Sequence, residues 1–262
     1  MKRTRKGVDN MLAEERKDII LKELYEEGKI LVQDLSHDTN VSAETIRRDL
    51  KELENEGLLK RVHGGAILAK KINGELPINI RKTIYKESKE IIAYKALKYI
   101  NEGDTIFLDS SSTSMQIAES LEQFNHLKVI TNSFFIAETL TKMNNIQLIL
   151  LGGNFNEKNY SFIGQSAQDA LSQYYADACF ISSTGVNQKG WLADSSESEA
   201  HIRKLMLEHS DKKYFVLDDT KIYRSSTYII GNLNQFTGIL SNKKLPTELT
   251  TLLNNDAIIL DD

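Results

Sequence analysis

The strongest constraint on this chain is a change of rhythm partway along it. From Glu14 to about residue 56 the apolar residues recur at helical spacing: Ile19, Ile20 and Leu24, then Leu31, Val32 and Leu35, then Ile46, Leu50 and Leu53. That spacing predicts three helices, each burying one face. After an amphipathic helical stretch (about 84 to 100) come seven short apolar runs, TIFLD, LKVIT, IQLILL, ACFIS, KYFVLD, GIL and AIIL, most of them separated by helical segments. Parallel strands need a crossover between them, so this alternation predicts an α/β domain with a mostly parallel sheet. Between the two rhythms lies AKKINGELPINIRKT, residues 69–83, with Gly74 and one of only two prolines, Pro77. The organisation expected is a small N-terminal domain (1–68), a linker (69–83) and a larger C-terminal α/β domain (84–262).

Local signals sharpen the N-terminal part. Gly28 is placed to close the first helix, Asn40-Val41 separates the second from the third, and Ser42 suits an N-cap, its side-chain oxygen taking an orphan amide. Gly57 supplies a stop, since a residue without Cβ enters the left-handed region at little cost. LLKRV and AIL then read as two short strands around His63-Gly64-Gly65, a wing.

At 100° per residue, Ile46, Leu50, Leu53 and Ala43 share one face of the third helix. Glu44, Arg48 and Lys51 face away from it, with Thr45 and Arg47 flanking. Ser42, Glu44, Thr45, Arg47 and Arg48 lie in the N-terminal half, the part of a recognition helix that reaches base edges. Arginine reads guanine bidentately or clamps phosphate, and threonine donates to phosphate. The same helix also suits a solvated face with Arg47 or Arg48 paired to Glu44 or Glu52. The wing favours nucleic acid, because Lys60, Arg61 and His63 beside two glycines make a cationic ribbon whose backbone can approach phosphates closely. For His63 an ordinary turn role and a DNA contact stay equally open.

Composition excludes several classes. With 40% hydrophobic and 27% charged residues the chain is neither disordered nor membranous. The basic start MKRTRKGVDN lacks the apolar stretch of a secretory signal, so a cytoplasmic protein is expected. Residues 1–70 hold 14 basic and 14 acidic residues, which leaves the whole net charge of -4 in the remainder. A DNA-binding N-terminal part must therefore group its cations on one surface. The single cysteine, Cys179 in ADACFIS, reads as a small buried hydrophobe. No cysteine cluster for structural zinc is present.

The residues also carry a resemblance. Arg16-x3-Ile20-x3-Leu24, then Ser42-x2-Thr45-Ile46-Arg47-Arg48-Asp49-Leu50, then GLLKRVHGGA look like the N-terminal signature of the DeoR family of bacterial transcriptional regulators. GDTIFLDSSSTS resembles that family's GDTIFLDSGTTT, and VITNS, LILLGG, SFIG and LDDTK follow in the family's order. The likeness spans nearly the whole chain. It implies a winged helix-turn-helix domain joined to a sensor domain resembling ribose-5-phosphate isomerase and glucosamine-6-phosphate deaminase, with a phosphorylated sugar or related metabolite as effector.

The second half supports a ligand site on its own chemistry. In TIFLDSSSTSMQIAESL a strand ends at Asp109, five hydroxyl residues follow (Ser110, Ser111, Ser112, Thr113, Ser114) and a helix begins. This sets hydroxyls and free amides at a positive helix end and at the carboxyl end of a strand, where open α/β sheets bind ligands. A serine-rich capping loop without ligand has the same sequence, and Asp109 suits either holding sugar hydroxyls or capping. Thr131-Asn132-Ser133, Gly152-Gly153 and Gly185 repeat the strand-end pattern, although each singly is ordinary turn chemistry. The resemblance adds Lys221 as a cation for phosphate, with a surface lysine as the plain alternative. Three segments depart from the family: SSSTS stands for SGTTT, SSTGV for GADGI, and Lys221-Ile222-Tyr223 for a KFG.

The expectation is therefore a DNA-binding regulator, a repressor of carbohydrate genes, that holds double-stranded operator DNA as a homo-oligomer, dimer or tetramer. It needs no cofactor, no catalytic residue, no metal and no membrane. Two competitors remain. A sugar-phosphate isomerase-like enzyme would recruit Asp109, Asp194, Glu197, Glu199 and Lys221 as acid and base groups, and a pure sensor would only assemble with other proteins; operator binding separates the first reading from both.

Overall fold

The computed structural model describes residues 12–68, 76–254 and 257–260. The chain divides into two compact units, Met1–Asn73 with Asn79–Tyr85, and Gly74–Ile78 with Lys86–Asp262.

The first unit is a winged helix-turn-helix. Its elements are α1 (Ala13–Glu27), β1 (Lys29–Leu31), α2 (Val32–Asp38), α3 (Ala43–Asn55), β2 (Leu59–Val62) and β3 (Gly65–Leu68). Gly28 ends α1 in the left-handed region, φ 74°, its amide bonded to the Leu24 carbonyl 2.9 Å away. Ser42 caps α3, accepting from the Thr45 amide at 3.1 Å. Ile46, Leu50 and Leu53 are buried as the helical stripe requires, and Ala43 is half-buried.

One expectation fails here. Leu31 belongs to β1, and the second helix begins only at Val32. The cause is a third strand that the helical spacing concealed: β1 pairs antiparallel with β3, which pairs with β2. Gly65 makes that sheet possible, because a Cβ there would lie 2.0 Å from the Ile30 carbonyl oxygen.

Of the stretch expected as a linker, residues 69–75 lie outside the described residues; Leu76, Ile78, Ile80 and Ile84 are buried, and α4 (Ile78–Arg81) is a single helical turn.

The second unit has seven parallel strands, one for each apolar run: β4 (Thr105–Leu108), β5 (Leu127–Thr131), β6 (Ile146–Leu150), β9 (Ala176–Ile181), β12 (Ser210–Leu217), β14 (Gly238–Ser241) and β15 (Ile258–Leu260), in the order β15-β14-β12-β9-β4-β5-β6. Strand residues alternate between two cores. Ile106, Leu108, Val129, Phe180 and Val216 meet α5 (Lys86–Leu97), α6 (Ser112–Glu119) and α7 (Phe134–Leu140) on one face. Phe107, Ile130, Cys179, Ile181 and Phe215 meet α8 (Gln165–Leu171), α9 (Glu197–Glu208) and α10 (Thr247–Thr250) on the other. Cys179 is the buried hydrophobe expected, and burial pushes its thiol up to about 12.

The remaining strands are short additions. A hairpin joins β7 (Asn154–Asn156) to β8 (Ser161–Ile163), and a small antiparallel sheet joins β10 (Gly185–Val186), β11 (Trp191–Asp194) and β13 (Tyr228–Asn232). From β4 the chain steps one way to β5 and β6, then returns to the other side of β4 for β9 and β12. The order of strands thus reverses between β4 and β9, the place where such sheets open a crevice at their carboxyl ends.

Candidate functional site

In the first unit the cations named from the sequence sit on α3 and the wing. Arg47, Arg48 and Lys51 are exposed along α3, and Lys60, Arg61 and His63 along the wing. Arg47 reaches Glu44 at 3.2 Å, an exposed pair one helical turn apart. Arg61 is held more firmly, its Nε 2.7 Å from Glu54 Oε2 and its amide donating to Oε1 at 2.8 Å. The hydrogen bonds from Arg61 hold the Glu54 carboxyl below its usual value. Arg48, Lys51, Lys60 and His63 make no ion pair among the described residues. Ser42 is committed to capping, and Thr45 is half-buried with its hydroxyl 2.9 Å from that of Ser42.

What orients α3 was not foreseen. Asp49 is buried and takes both nitrogens of a bidentate Arg16, Nε at 2.6 Å and Nη2 at 3.0 Å. The signal was present, because Asp49 falls beside Leu53 on the apolar face of the helical wheel. An ionised group there needs a partner, and Arg16 on α1 supplies it.

In the second unit the named residues occupy the carboxyl ends of five adjacent strands. Asp109 to Ser114 follow β4, Thr131 to Ser133 end β5, Gly152-Gly153 follow β6, Gly185 follows β9, and Lys221 follows β12. Ser111 caps α6, accepting from the Ser114 amide at 3.1 Å, and Ser133 caps α7, accepting from the Ile136 amide at 3.3 Å. The Thr131 hydroxyl accepts from the Ser133 amide at 3.1 Å.

A residue not singled out from the sequence ties these ends together. Arg203, on α9 and 2% exposed, lies 2.7 Å through Nε from Asp109 Oδ2, and its Nη1 bonds Asp194 and stands 3.9 Å from Glu199 Oε2. Asp109 also accepts from the Ser111 amide at 3.1 Å, the Ser114 hydroxyl at 2.5 Å and the Ser182 amide at 3.0 Å. Burial alone would raise its carboxyl, but the Arg203 charge and the bonds from Ser111, Ser114 and Arg203 outweigh burial and hold it below the usual carboxylate value. Both Asp109 oxygens are therefore engaged inside the protein, while the cap of α6 is Ser111.

Glu199 extends the network. It accepts from Ser110 at 2.7 Å through one oxygen, and through the other from Asn156 at 3.2 Å, Asn159 at 3.1 Å and Ser161. One carboxylate thus clasps the hydroxyl loop to the β7–β8 hairpin. With Asp109, Asp194 and Glu199 enclosed around Arg203 and Glu197 exposed on the first turn of α9, these carboxylates are structural in arrangement rather than an acid and base flanking a reacting atom.

Among the described residues, Thr113 Oγ1 on the first turn of α6 and Asn132 Oδ1 after β5 are buried without a hydrogen-bond partner. Lys221 donates to Ser182 Oγ at 2.9 Å and stands 3.7 Å from Asp218 Oδ2, so it holds a cation between the ends of β9 and β12. The glycines differ from one another. Gly185 is packed by Arg224, whose Cβ would lie 2.5 Å from an added Cβ, and Gly153 by the Ile163 carbonyl oxygen at 2.6 Å, whereas Gly152 faces open space. The first two serve packing, and the third leaves room at the end of β6.

Two family models match this chain, the DeoR-like helix-turn-helix domain over residues 16–72 and the DeoR C terminal sensor domain over residues 85–243. It is 33% identical to the L-fucose operon activator of Haemophilus influenzae over 89% of this chain and 94% of that one. It is 31% identical to the transcriptional repressor CsqR of Escherichia coli over 93% of each chain, and 28% identical to the glycerol-3-phosphate regulon repressor of Escherichia coli over 94% of this chain and 98% of that one. Ribose 5-phosphate isomerase A from Methanocaldococcus jannaschii aligns with 52% of this chain and 54% of its own at 16% identity and a TM-score of 0.39, a likeness from which nothing functional follows. A helix and wing of this build, a strand-end loop rich in hydroxyls, and matches that run through both units lead to one conclusion: the chain belongs to the DeoR family of transcriptional regulators.

Proposed function

We propose that this regulator is a repressor of carbohydrate-metabolism genes, that it binds its operator through α3 and the wing, and that a phosphorylated sugar or related metabolite at the carboxyl ends of the parallel sheet changes its hold on DNA. The observation that carries the DNA half is the set of cations that make no ion pair among the described residues, Arg48 and Lys51 on the outer face of α3 and Lys60 and His63 on the wing. Arg47 joins them, because an exposed i,i+3 pair is worth little and exchanges readily for phosphate. Ser42 and Thr45 present hydroxyls at the same end of the helix, with Glu44 as the neighbour that releases Arg47. Arg61 contributes less, being held by Glu54.

For the effector, the first-turn amides of α6 with the hydroxyls of Ser110 to Ser114 form the anion cradle, and Lys221 supplies the countercharge. Asn132, Thr131 and Ser133 line the end of β5, and Gly152 gives clearance beside them. Names of relatives include both repressors and an activator; release from the operator on binding the effector is the direction proposed here. One α3 and one wing cover a short half-site, so the operator-bound form is a dimer or tetramer. No catalytic step is assigned to any residue.

The test starts from duplexes selected by the full chain out of a random pool. Fluorescence anisotropy then follows one selected duplex while phosphorylated sugars are titrated in. Specific retention of one sequence, weakened by a sugar phosphate and not by the free sugar, is expected. A chain that selects no sequence, or whose selected duplex is insensitive to every phosphorylated sugar, sinks the corresponding half of the proposal.

A further inference from the structure

The two edge strands of the parallel sheet are built differently. β15, at one end, is three residues long and stands in the sequence between Asp256 on one side and Asp261-Asp262 on the other. β6, at the other end, is five residues long, and the run MNNIQLILLGGNFN around it, Met143 to Asn156, holds no charged side chain in a chain that is 27% charged. Its register with β5 is unbroken from Ile146 to Leu150, so no bulge turns the edge aside, and no proline interrupts it. An open edge is a template for further pairing, and a protein that keeps one bare guards it with charge, proline, a bulge or shortness. β15 carries two of these guards and β6 none.

The outward groups of β6 are identifiable. The Leu151 amide donates to the Thr131 carbonyl at 2.9 Å, and amides alternate in direction along a strand. Gln147 and Ile149 therefore turn their backbone groups to β5, and Leu148 and Leu150 turn theirs away. Among the described residues no strand pairs with β6 on that outer side.

The ends of this edge are unlike each other. At its carboxyl end Leu150 is 38% exposed, and two rings are exposed with it, Phe134 at 42% on the first turn of α7 and Phe155 at 48% on β7. The rings meet edge to face with centroids 6.5 Å apart, and Phe155 rests on Tyr160 and Phe162 at 5.5 and 5.6 Å. Clustered exposed aromatics of this kind mark contact surfaces. At the amino end lies an open hollow of about 690 Å³, lined in part by Lys142, Met143, Asn144 and Asn145, the residues that lead into β6.

A second copy of the chain, run in the opposite direction, matches this edge throughout. Rotation about a two-fold axis lays β6 against β6 antiparallel and brings the aromatic end of each copy to the hollow end of the other, the reciprocal arrangement of an isologous contact. An uncharged edge meets its own copy without repulsion. We propose that two copies associate through β6, with Leu150, Phe134 and Phe155 beside it, and that antiparallel β6–β6 pairing joins the two seven-stranded sheets into one. This rests on the reading that more than one copy holds the operator, and it names the surface that holds them together.

The experiment is sedimentation velocity of the full chain at micromolar concentration, with Leu150→Lys and Phe155→Lys, each of which places the natural guard of an edge at an exposed position. Both variants are expected to sediment at half the wild-type mass or less, with the melting temperature of wild type, and to lose about a hundredfold or more in operator affinity. A second measurement is independent of any folding defect those lysines cause. Single cysteines are placed in turn at Gln147, Leu148, Ile149 and Leu150 and oxidised; the native Cys179 is buried and does not compete. In an antiparallel pair only the residue beside the two-fold axis faces its own copy within disulfide reach, so one of the four positions should cross-link two copies and the positions next to it should not. Variants that keep the wild-type mass, or an absence of cross-linking at all four positions, overturn this interface and leave the requirement for a dimer standing. Monomeric variants that hold the operator as wild type does would instead support the interface and overturn that requirement, and a wild type that is monomeric both free and on the operator overturns the two together.

Discussion

The two units use charge in opposite ways. On α3 and the wing the cations are exposed: Arg47 has one solvent-facing glutamate, Arg48 and Lys51 make no ion pair among the described residues, and Arg61 alone of those named is held firmly, by the half-buried Glu54. At the strand ends of the second unit three carboxylates and one guanidinium are enclosed together, each 1–2% exposed. Water screens the first arrangement, so its side chains are available to a polyanion at little cost to the fold. The second is fixed by its own desolvation, since no member can lose its partner without leaving a bare charge inside the protein. A surface that meets DNA should therefore tolerate substitution in stability and fail in binding, and the buried network should fail in stability first.

The largest effect expected tests the buried side of that contrast. Arg203→Met replaces the guanidinium by an apolar chain of similar length and leaves Asp109, Asp194 and Glu199 without their shared cation. Breaking a buried pair from one side typically costs about 3–5 kcal/mol, enough to unfold the second unit or lower its urea midpoint drastically. Circular dichroism through a urea series reads it directly. A midpoint within experimental scatter of wild type would mean that the carboxylates are neutralised in some other way, and the contrast between the units would lose its basis.

The exposed side is tested by Arg47→Ala with Arg48→Ala. Loss of base-edge contacts should cost roughly 1–3 kcal/mol each, and loss of phosphate contacts should flatten the salt dependence of binding. The melting temperature should stay that of wild type, because neither arginine touches the apolar stripe of α3. Should the double variant melt early instead, these residues serve the fold, and the division between the units fails from the other end.

The same contrast governs what was legible in the sequence. Ser42, Gly28, Gly57 and Gly64 act within their own turns, so spacing alone places them, whereas the need for Gly65 comes from Ile30, far off in the chain. The seven apolar runs mark the parallel sheet because strands buried on both faces have to be apolar throughout. The strands that spacing did not reveal are short or mixed. Leu31 fits a helical stripe as well as it fits β1, and Ser161–Ile163 has three residues of no single character. The buried network was hidden for a further reason: Asp109 and Arg203 are 94 positions apart, and nothing local to either indicates the other. Glu199 was noticed only as a possible acid or base, when its four hydrogen bonds make it the clasp between Ser110 and the β7–β8 hairpin.

Acid should separate the units more gently than Arg203→Met. The Asp109 carboxyl titrates below its usual value in the folded protein, so on falling pH the unfolded chain takes up this proton before the folded one does. Its contribution is complete above the unfolded carboxylate value of about 3.9 and is lost as the pH falls from there through the folded value. Between about pH 5 and 8 this group adds no slope. Urea midpoints of the second unit should be flat over the neutral range and decline below about pH 4, and in Asp109→Asn that part of the decline should disappear. A midpoint that falls equally in both proteins would assign the acid sensitivity to other carboxylates.

The smallest effect expected concerns the wing. Glu54 occupies Arg61 through two contacts, to Nε at 2.7 Å and to the backbone amide at 2.8 Å, and it competes with any phosphate that approaches the same guanidinium. Glu54→Gln keeps the shape and one amide acceptor for the backbone but removes the charge. The side chain is half-buried at the surface and its shape is kept, so stability should move little. Arg61 should then be free to neutralise one more phosphate, which raises affinity for a duplex of arbitrary sequence at low salt and steepens the slope of log affinity against log salt by about 0.9, the increment for one contact on duplex DNA. Because a phosphate contact carries no sequence information, the ratio of specific to nonspecific affinity should be unchanged. Anisotropy titrations at several salt concentrations, with the selected duplex and a scrambled one, measure both quantities. An unaltered salt slope would place Arg61 away from the DNA backbone and leave α3, with Lys60 and His63, as the contact surface among the described residues.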